Sequence, residues 1–213
     1  MDRTRCNNER MTGRRIAAMA MLAAVLGACA AGTPSRPPAR IEIQEAVGFT
    51  ITESTHASGD MRTDYEEAVR LLEQGRQDEG IRMLRDITAS APELVTPHID
   101  LGIALHRAGD LEGAEEFLLK ARELNPAHPV VHNELGIIYR KTGRFADART
   151  SYEAALAIYP NYHYTRRNLA VLCDLYLSDY GCALQNYEAY MNTVTGDDEV
   201  TMWVADLRNR MGP

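Results

Sequence analysis

The spacing of apolar residues takes three forms along the chain. Residues 16–28, IAAMAMLAAVLGA, form an apolar run with no charge in it. Around Ile41/Ile43, and again at Val47/Phe49/Ile51, apolar and polar residues alternate, so RIEIQ and VGFTITES read as two short strands. Two strands alone are marginal in water. The pair is left to dock on the domain C-terminal to it, to add to the sheet edge of a partner, or to stay loose. From Met61 onward the pattern is helical, and it repeats.

LGIALHRAGDLEGAEEFLLKARELNP (101–126) aligns with LGIIYRKTGRFADARTSYEAALAIYP (135–160) at an offset of 34. Leu101/Leu135, Gly102/Gly136, Gly109/Gly143, Ala114/Ala148, Ala121/Ala155 and Pro126/Pro160 coincide, and an earlier copy keeps Ala68, Gly75, Gly80, Leu84 and Pro92 at the same offset. Small residues such as Gly102 and Ala114 let two antiparallel helices approach closely, while Gly109 and Gly143 end the first helix of each pair. Pro92, Pro126 and Pro160 stop the second helix. The next copy, NLAVLCDLYLSDYGCALQNYEAYM, departs from the pattern. Tyr187-Glu188-Ala189 align with Tyr152-Glu153-Ala154 only at 35, so one residue is added between Cys173 and Tyr180, and the turn glycine is missing. DEVTMWVADLRNRM then carries Val200, Trp203, Val204 and Leu207 at helical spacing and closes the array.

A period of 34 with these residues closely resembles the tetratricopeptide repeat, a helix-turn-helix unit. The resemblance covers residues 61–197. It implies an all-α superhelix of about four units (61–94, 95–128, 129–162 and 163–197), with 198–213 as a capping helix. In that family the first helix of each unit lines a concave groove that takes extended or helical peptides. Carried onto this chain, the groove would hold Val69, Ile103, Ile137 and Val171, with Tyr65, Ile99, Asn133 and Arg167 one turn earlier. His106, Arg107, Arg140, Lys141 and Tyr164 would rim it. The competing reading of each stripe residue is packing of one first helix on the next. The family's clamp for a C-terminal carboxylate uses paired lysines and asparagines; Val69, Asp100 and Glu134 stand at such places here, which disfavours that ligand. An apolar stripe with a basic rim points instead to a partly apolar peptide carrying some acidic residues.

The N-terminal apolar run follows a basic stretch ending in Arg14-Arg15. It is too short to cross a bilayer as a stable helix and suits the core of a secretory signal at 1–28. Leu26-Gly27-Ala28-Cys29 resembles the lipobox of bacterial lipoproteins, which implies cleavage before Cys29 and its acylation. Several acyl chains, at about 0.8 kcal/mol per buried methylene, anchor persistently. In that family an Asp after the cysteine retains the protein in the inner membrane, and Ala30 here points to the outer one. The competing readings are a plain secretory signal, a buried helix that contains a cysteine, and a twin-arginine signal whose flanks fit poorly. AAGTPSRPPAR, rich in proline and small residues, reads as a tether within 29–60.

The 213 residues carry a net charge of -7, and removing the leader leaves 18 basic residues against 28 acidic ones. Such a chain repels a phosphate backbone, so nucleic acid is not an expected partner. Of four cysteines, Cys6 leaves with the leader and Cys29 takes lipid, which leaves Cys173 and Cys182 in adjacent helices. Export to an oxidising compartment favours a disulfide between them. Two buried free thiols are the alternative, and a metal site would need more ligands close by. No catalytic constellation or phosphate loop is recognisable. His98 and His132 read as packing residues between units, and Glu66, Glu67, Glu115 and Glu116 as a solvated face. The expectation is therefore an outer-membrane lipoprotein with no enzymatic activity, cofactor or metal, its periplasmic domain binding a peptide segment of a cell-envelope complex. A regulator docking on a peptidoglycan synthase or hydrolase, and a self-assembling scaffold of a pilus or secretion machine, are the alternatives.

Overall fold

The structure, a computed structural model, describes residues 40–44, 48–52 and 59–212. The leader, Cys29, the tether up to 39 and Val47 lie outside the described residues. β1 (Arg40–Gln44) and β2 (Gly48–Thr52) pair antiparallel, with Ile41 opposite Ile51 and Ile43 opposite Phe49. The two predicted strands form one hairpin.

Nine helices come after the hairpin among the described residues: α1 (Gly59–Glu73), α2 (Gln77–Ser90), α3 (Val95–Ala108), α4 (Leu111–Leu124), α5 (Pro129–Lys141), α6 (Phe145–Ile158), α7 (His163–Leu175), α8 (Tyr180–Met191) and α9 (Asp198–Met211). No described helix is long and apolar enough to cross a membrane. The odd- and even-numbered helices alternate as first and second members of four hairpins, α1/α2 to α7/α8. Each hairpin packs on the next, and the first helices also touch, α3 with α5 and α5 with α7. One apolar core runs through the whole stack from Ala68 to Leu207.

Within a hairpin the two helices approach until there is no room for a side chain at the crossing. A methyl group added to Gly102 would lie 2.7 Å from Leu118 Cγ, and one added to Gly136 would lie 2.4 Å from the Tyr152 ring. The turn between the helices is equally constrained. Gly75, Gly109 and Gly143 have φ of 78°, 89° and 77°, the left-handed region that glycine enters without steric cost. The next amide then returns to a carbonyl five residues back: Arg76 N to Leu71 O, Asp110 N to Leu105 O and Arg144 N to Tyr139 O, at 2.9, 2.9 and 2.8 Å. Pro92, Pro126 and Pro160 each stand two residues past the end of a second helix, where the chain turns into the next unit.

The fourth turn resolves the added residue. Asp179 N donates to Cys173 O at 2.9 Å, a span of six residues in place of five, and Ser178 takes the left-handed position at φ 53°. A non-glycine residue there costs about 1 kcal/mol. Asp179 offsets part of this by capping α8, its Oδ1 accepting from Cys182 N at 3.1 Å. Across the same turn Cys173 and Cys182 are joined sulfur to sulfur, with Cα atoms 5.9 Å apart. The Asp179 carboxylate lies within 4.8 Å of both sulfurs, but its second oxygen pairs with Arg149 at 3.0 Å. The bond closes a short loop in the unfolded chain, worth about 2–3 kcal/mol.

Gly136→Ala should destabilise the stack by about 1–3 kcal/mol, because the rigid ring of Tyr152 has to move; urea unfolding measures this, and an unchanged midpoint would contradict the packing. In denatured but unreduced protein, iodoacetamide should leave Cys173 and Cys182 unmodified, and both should be alkylated once dithiothreitol is added. Alkylation of either without reductant would contradict the pairing.

Candidate functional site

The first helices α1, α3, α5 and α7 stand side by side, so residues 34 apart on them line up across the stack. Val69, Ile103, Ile137 and Val171 occupy one such row, and all four are half-buried. Ile103, Ile137 and Val171 rest on the core with part of each side chain still open. Neighbouring helices do not complete their burial, so the row presents apolar area along the face.

The row one turn earlier behaves differently from the expectation. Ile99 and Asn133 are only 5% and 2% exposed. They are packing residues, and a ligand has no access to them. Asn133 Oδ1 accepts from Thr165 Oγ1 at 2.9 Å and from Asn168 Nδ2 at 3.0 Å, which ties α5 to α7. Tyr65 and Arg167, both half-buried, serve the same seam: the Tyr65 hydroxyl donates to the Asp100 carboxylate, and Arg167 reaches Glu199 at 3.1 Å and lies 5.0 Å above the Trp203 ring. This row joins adjacent first helices. The signal for it was present in the sequence as donor–acceptor pairs separated by about one repeat.

The two histidines singled out by their spacing hold local backbone. His98 is buried with Nδ1 2.7 Å from Leu94 O, and His132 Nε2 lies 2.7 Å from Pro126 O. Among the glutamates, Glu115 bridges to Arg144 of the next hairpin at 2.8 Å, and Glu67 pairs with Arg70.

The charges along the face are mixed. Asp100 and Glu134, one repeat apart, are held above the usual carboxylate range by burial, with Arg107 offsetting part of the rise in both. At the C-terminal ends of α3 and α5 three cationic groups gather around His106. Burial lowers the His106 imidazole, and Lys141, Arg107 and Arg140 lower it further, which places all three within electrostatic reach of it. No described carboxylate lies within ion-pair distance of Arg107, Arg140 or Lys141. Arg140 is half-buried, 3.5 Å from the Tyr176 hydroxyl and over its ring. Lys141 is exposed, and Tyr164 at the other end of the face is 61% exposed.

Beyond Val171, sequence reasoning missed the C-terminal end of this face. Asp174, Leu175, Trp203 and Arg210 are, with Val171, among the residues lining a cavity of about 210 Å³ where α9 meets α7. Leu175, 67% exposed, occupies the register of Lys141, so repeat spacing alone would have found it.

Two family models described as tetratricopeptide repeat match the chain, at residues 65–129 and 129–162. Anaphase-promoting complex subunit 6 of Dictyostelium discoideum is 29% identical over 85 residues, 40% of this chain and 10% of that protein. The chain thus spans about a tenth of the length of the curated relatives it matches. Among solved structures, MamA from Desulfovibrio magneticus RS-1 superposes with a TM-score of 0.66 at 18% identity, covering 73% of this chain and 88% of that one. PilF of Pseudomonas aeruginosa gives 0.64 at 18% identity, covering 71% and 68%. At these identities the structures speak to the fold. Over the described residues 59–212 the fold is an all-α tetratricopeptide-repeat superhelix, with four helical hairpins and a closing helix.

Proposed function

We propose that this protein is a lipid-anchored scaffold on the periplasmic face of a bacterial outer membrane, holding a peptide segment of a cell-envelope complex in the face formed by its first helices. The observation that carries this reading is the row Val69, Ile103, Ile137 and Val171, four apolar side chains at one register that remain half-open in the folded stack. A contiguous apolar strip marks an interaction surface more often than scattered exposed residues do. Burying the remainder of such side chains yields roughly 25 cal/mol for each Å² removed from water, which supplies affinity without orientation. Orientation comes from the cationic groups at the edge, Arg107, Arg140 and Lys141. The partner contributes a partly apolar segment with acidic residues.

The anchor rests on LGAC at 26–29 and on Ala30, and the proline-rich stretch after it gives the helical stack reach from the membrane surface. Nothing in this mechanism requires a chemical step; the protein binds and positions.

Crosslinked affinity purification of the full-length protein from its own membranes tests the reading. The native form should enrich one envelope protein, and a variant with Ile103→Glu and Ile137→Glu should lose it while still folding. Cys29→Ser should move the protein from the membrane to the soluble fraction. Equal capture by both forms would remove the groove assignment, and unchanged fractionation of the Cys29 variant would remove the lipid anchor.

A further inference from the structure

The apolar row that ends at Val171 runs into the cavity of about 210 Å³ beside α9. Val171 and Leu175 of α7, Tyr187 of α8 and Trp203 of α9 give it apolar walls, and Asp174, Asp206 and Arg210 complete the lining. Asp174 stands at the register of Leu72, His106 and Arg140. Its side chain is shorter than any of those three, and the space opens where the earlier first helices carry a longer group.

The walls are already fixed in the folded stack. Trp203 is half-buried, with the Arg167 guanidinium 5.0 Å over its ring and the Tyr187 ring tilted against it at 5.8 Å. Tyr187 is 1% exposed, and its hydroxyl meets the Asp174 carboxylate, so the ring is what it offers to the cavity. Arg210 pairs with Asp174 at 2.6 Å and with Asp206 at 2.9 Å. All three charged groups of the lining are thus matched with one another. An ion entering the cavity gains no free counter-charge, whereas an uncharged apolar group displaces water from its walls and breaks no ion pair. At the mouth stands Leu175, the most exposed large apolar side chain among the described residues.

We propose that this cavity receives one aromatic side chain, a phenylalanine, of the partner peptide. The inference rests on the groove reading above and names the residue that anchors the segment. The space exceeds the roughly 150 Å³ in which an apolar cavity takes up benzene. A phenyl ring there meets Trp203 and Tyr187 as aromatic neighbours and is covered on its outer side by Leu175. Aromatic groups seated in desolvated pockets carry a disproportionate share of binding energy. The remainder of the segment runs from Val171 along the row toward Ile137 and Ile103. Because α5 and α7 touch, their axes lie about 8–10 Å apart, the length of about three extended residues. An acidic residue three positions from the phenylalanine therefore falls beside Lys141, the register equivalent of Leu175.

The test is an NMR titration of the full-length protein. It follows the indole N–H signal of Trp203, the single tryptophan of the chain, and the methyl signals of Leu175, Ile103 and Ile137. The probes are a blocked hexapeptide, Ala-Glu-Leu-Ala-Phe-Ala, and its counterpart with alanine in place of the phenylalanine. The Phe peptide should shift all four residues saturably and bind at least about tenfold tighter than the Ala peptide, the scale of burying one large apolar side chain. Leu175→Glu should abolish that preference. Its side chain is 67% exposed, so an unchanged unfolding midpoint serves as the folding control. If both peptides bind equally and shift only Ile103 and Ile137, the groove stands and the aromatic anchor is overturned. If the Phe peptide shifts Trp203 and Leu175 but neither isoleucine, the cavity assignment stands and the row is overturned. If neither peptide shifts any of these signals, both readings fail.

Discussion

At the crossing of each hairpin a small residue on the first helix faces a large one on the second. Gly102 meets Leu118 and Gly136 meets Tyr152 at distances that leave no room for a methyl group. Ala68 with Leu84, and Ala170 with Tyr187, stand at the same registers, and all four are buried. The contact fixes how deeply the two helices nest. That depth sets which flank of the hairpin is left for its neighbour, and so the rotation between units. Repetition of one crossing lines up Val69, Ile103, Ile137 and Val171 on a common face; no single hairpin specifies that row. The first helices cannot close over the row without opening the crossings beneath it.

The identity of the large residue also changes along the stack. Leucine in the first two hairpins makes the crossing itself apolar, whereas Tyr152 and Tyr187 carry a hydroxyl into it. The chain answers the second hydroxyl with Asp174 and Arg210. It answers the first with Arg140 alone. The bond between Cys173 and Cys182 braces the fourth hairpin, where Ser178 stands in a position that glycine fills elsewhere.

Much of the fold was legible from residues whose physical role leaves little choice. Glycine at 75, 109 and 143 marked the left-handed turns, proline marked the helix stops, and an offset of 34 tied them into one architecture. The added residue before Tyr180 was visible as a slip to 35, although Ser178 as its left-handed residue was not. Groove residues were legible only as a row. Residue type does not say which side of a first helix faces the neighbouring unit, so Ile99 and Asn133 were assigned to the open face although they are buried between helices. Tyr65 with Asp100, Asn133 with Asn168 and Arg167 with Glu199 bond across units. Local periodicity has no term for such pairs, since each partner looks like an ordinary surface residue on its own helix. The pairing of Arg140 with Tyr152 was hidden for the same reason: a tyrosine at a core position reads as packing until its hydroxyl is followed to its end.

The central claim is that the face made by the first helices is where the partner sits. The most direct measurement is site-specific photocrosslinking in intact membranes, with a benzoylphenylalanine placed in turn at Ile103, at Ile137, and at Glu116 and Lys120, both exposed on the second helix α4. The account predicts that positions 103 and 137 yield the same adduct and that 116 and 120 yield none. An adduct formed from 116 or 120 but from neither 103 nor 137 would place the partner on the opposite surface and contradict it.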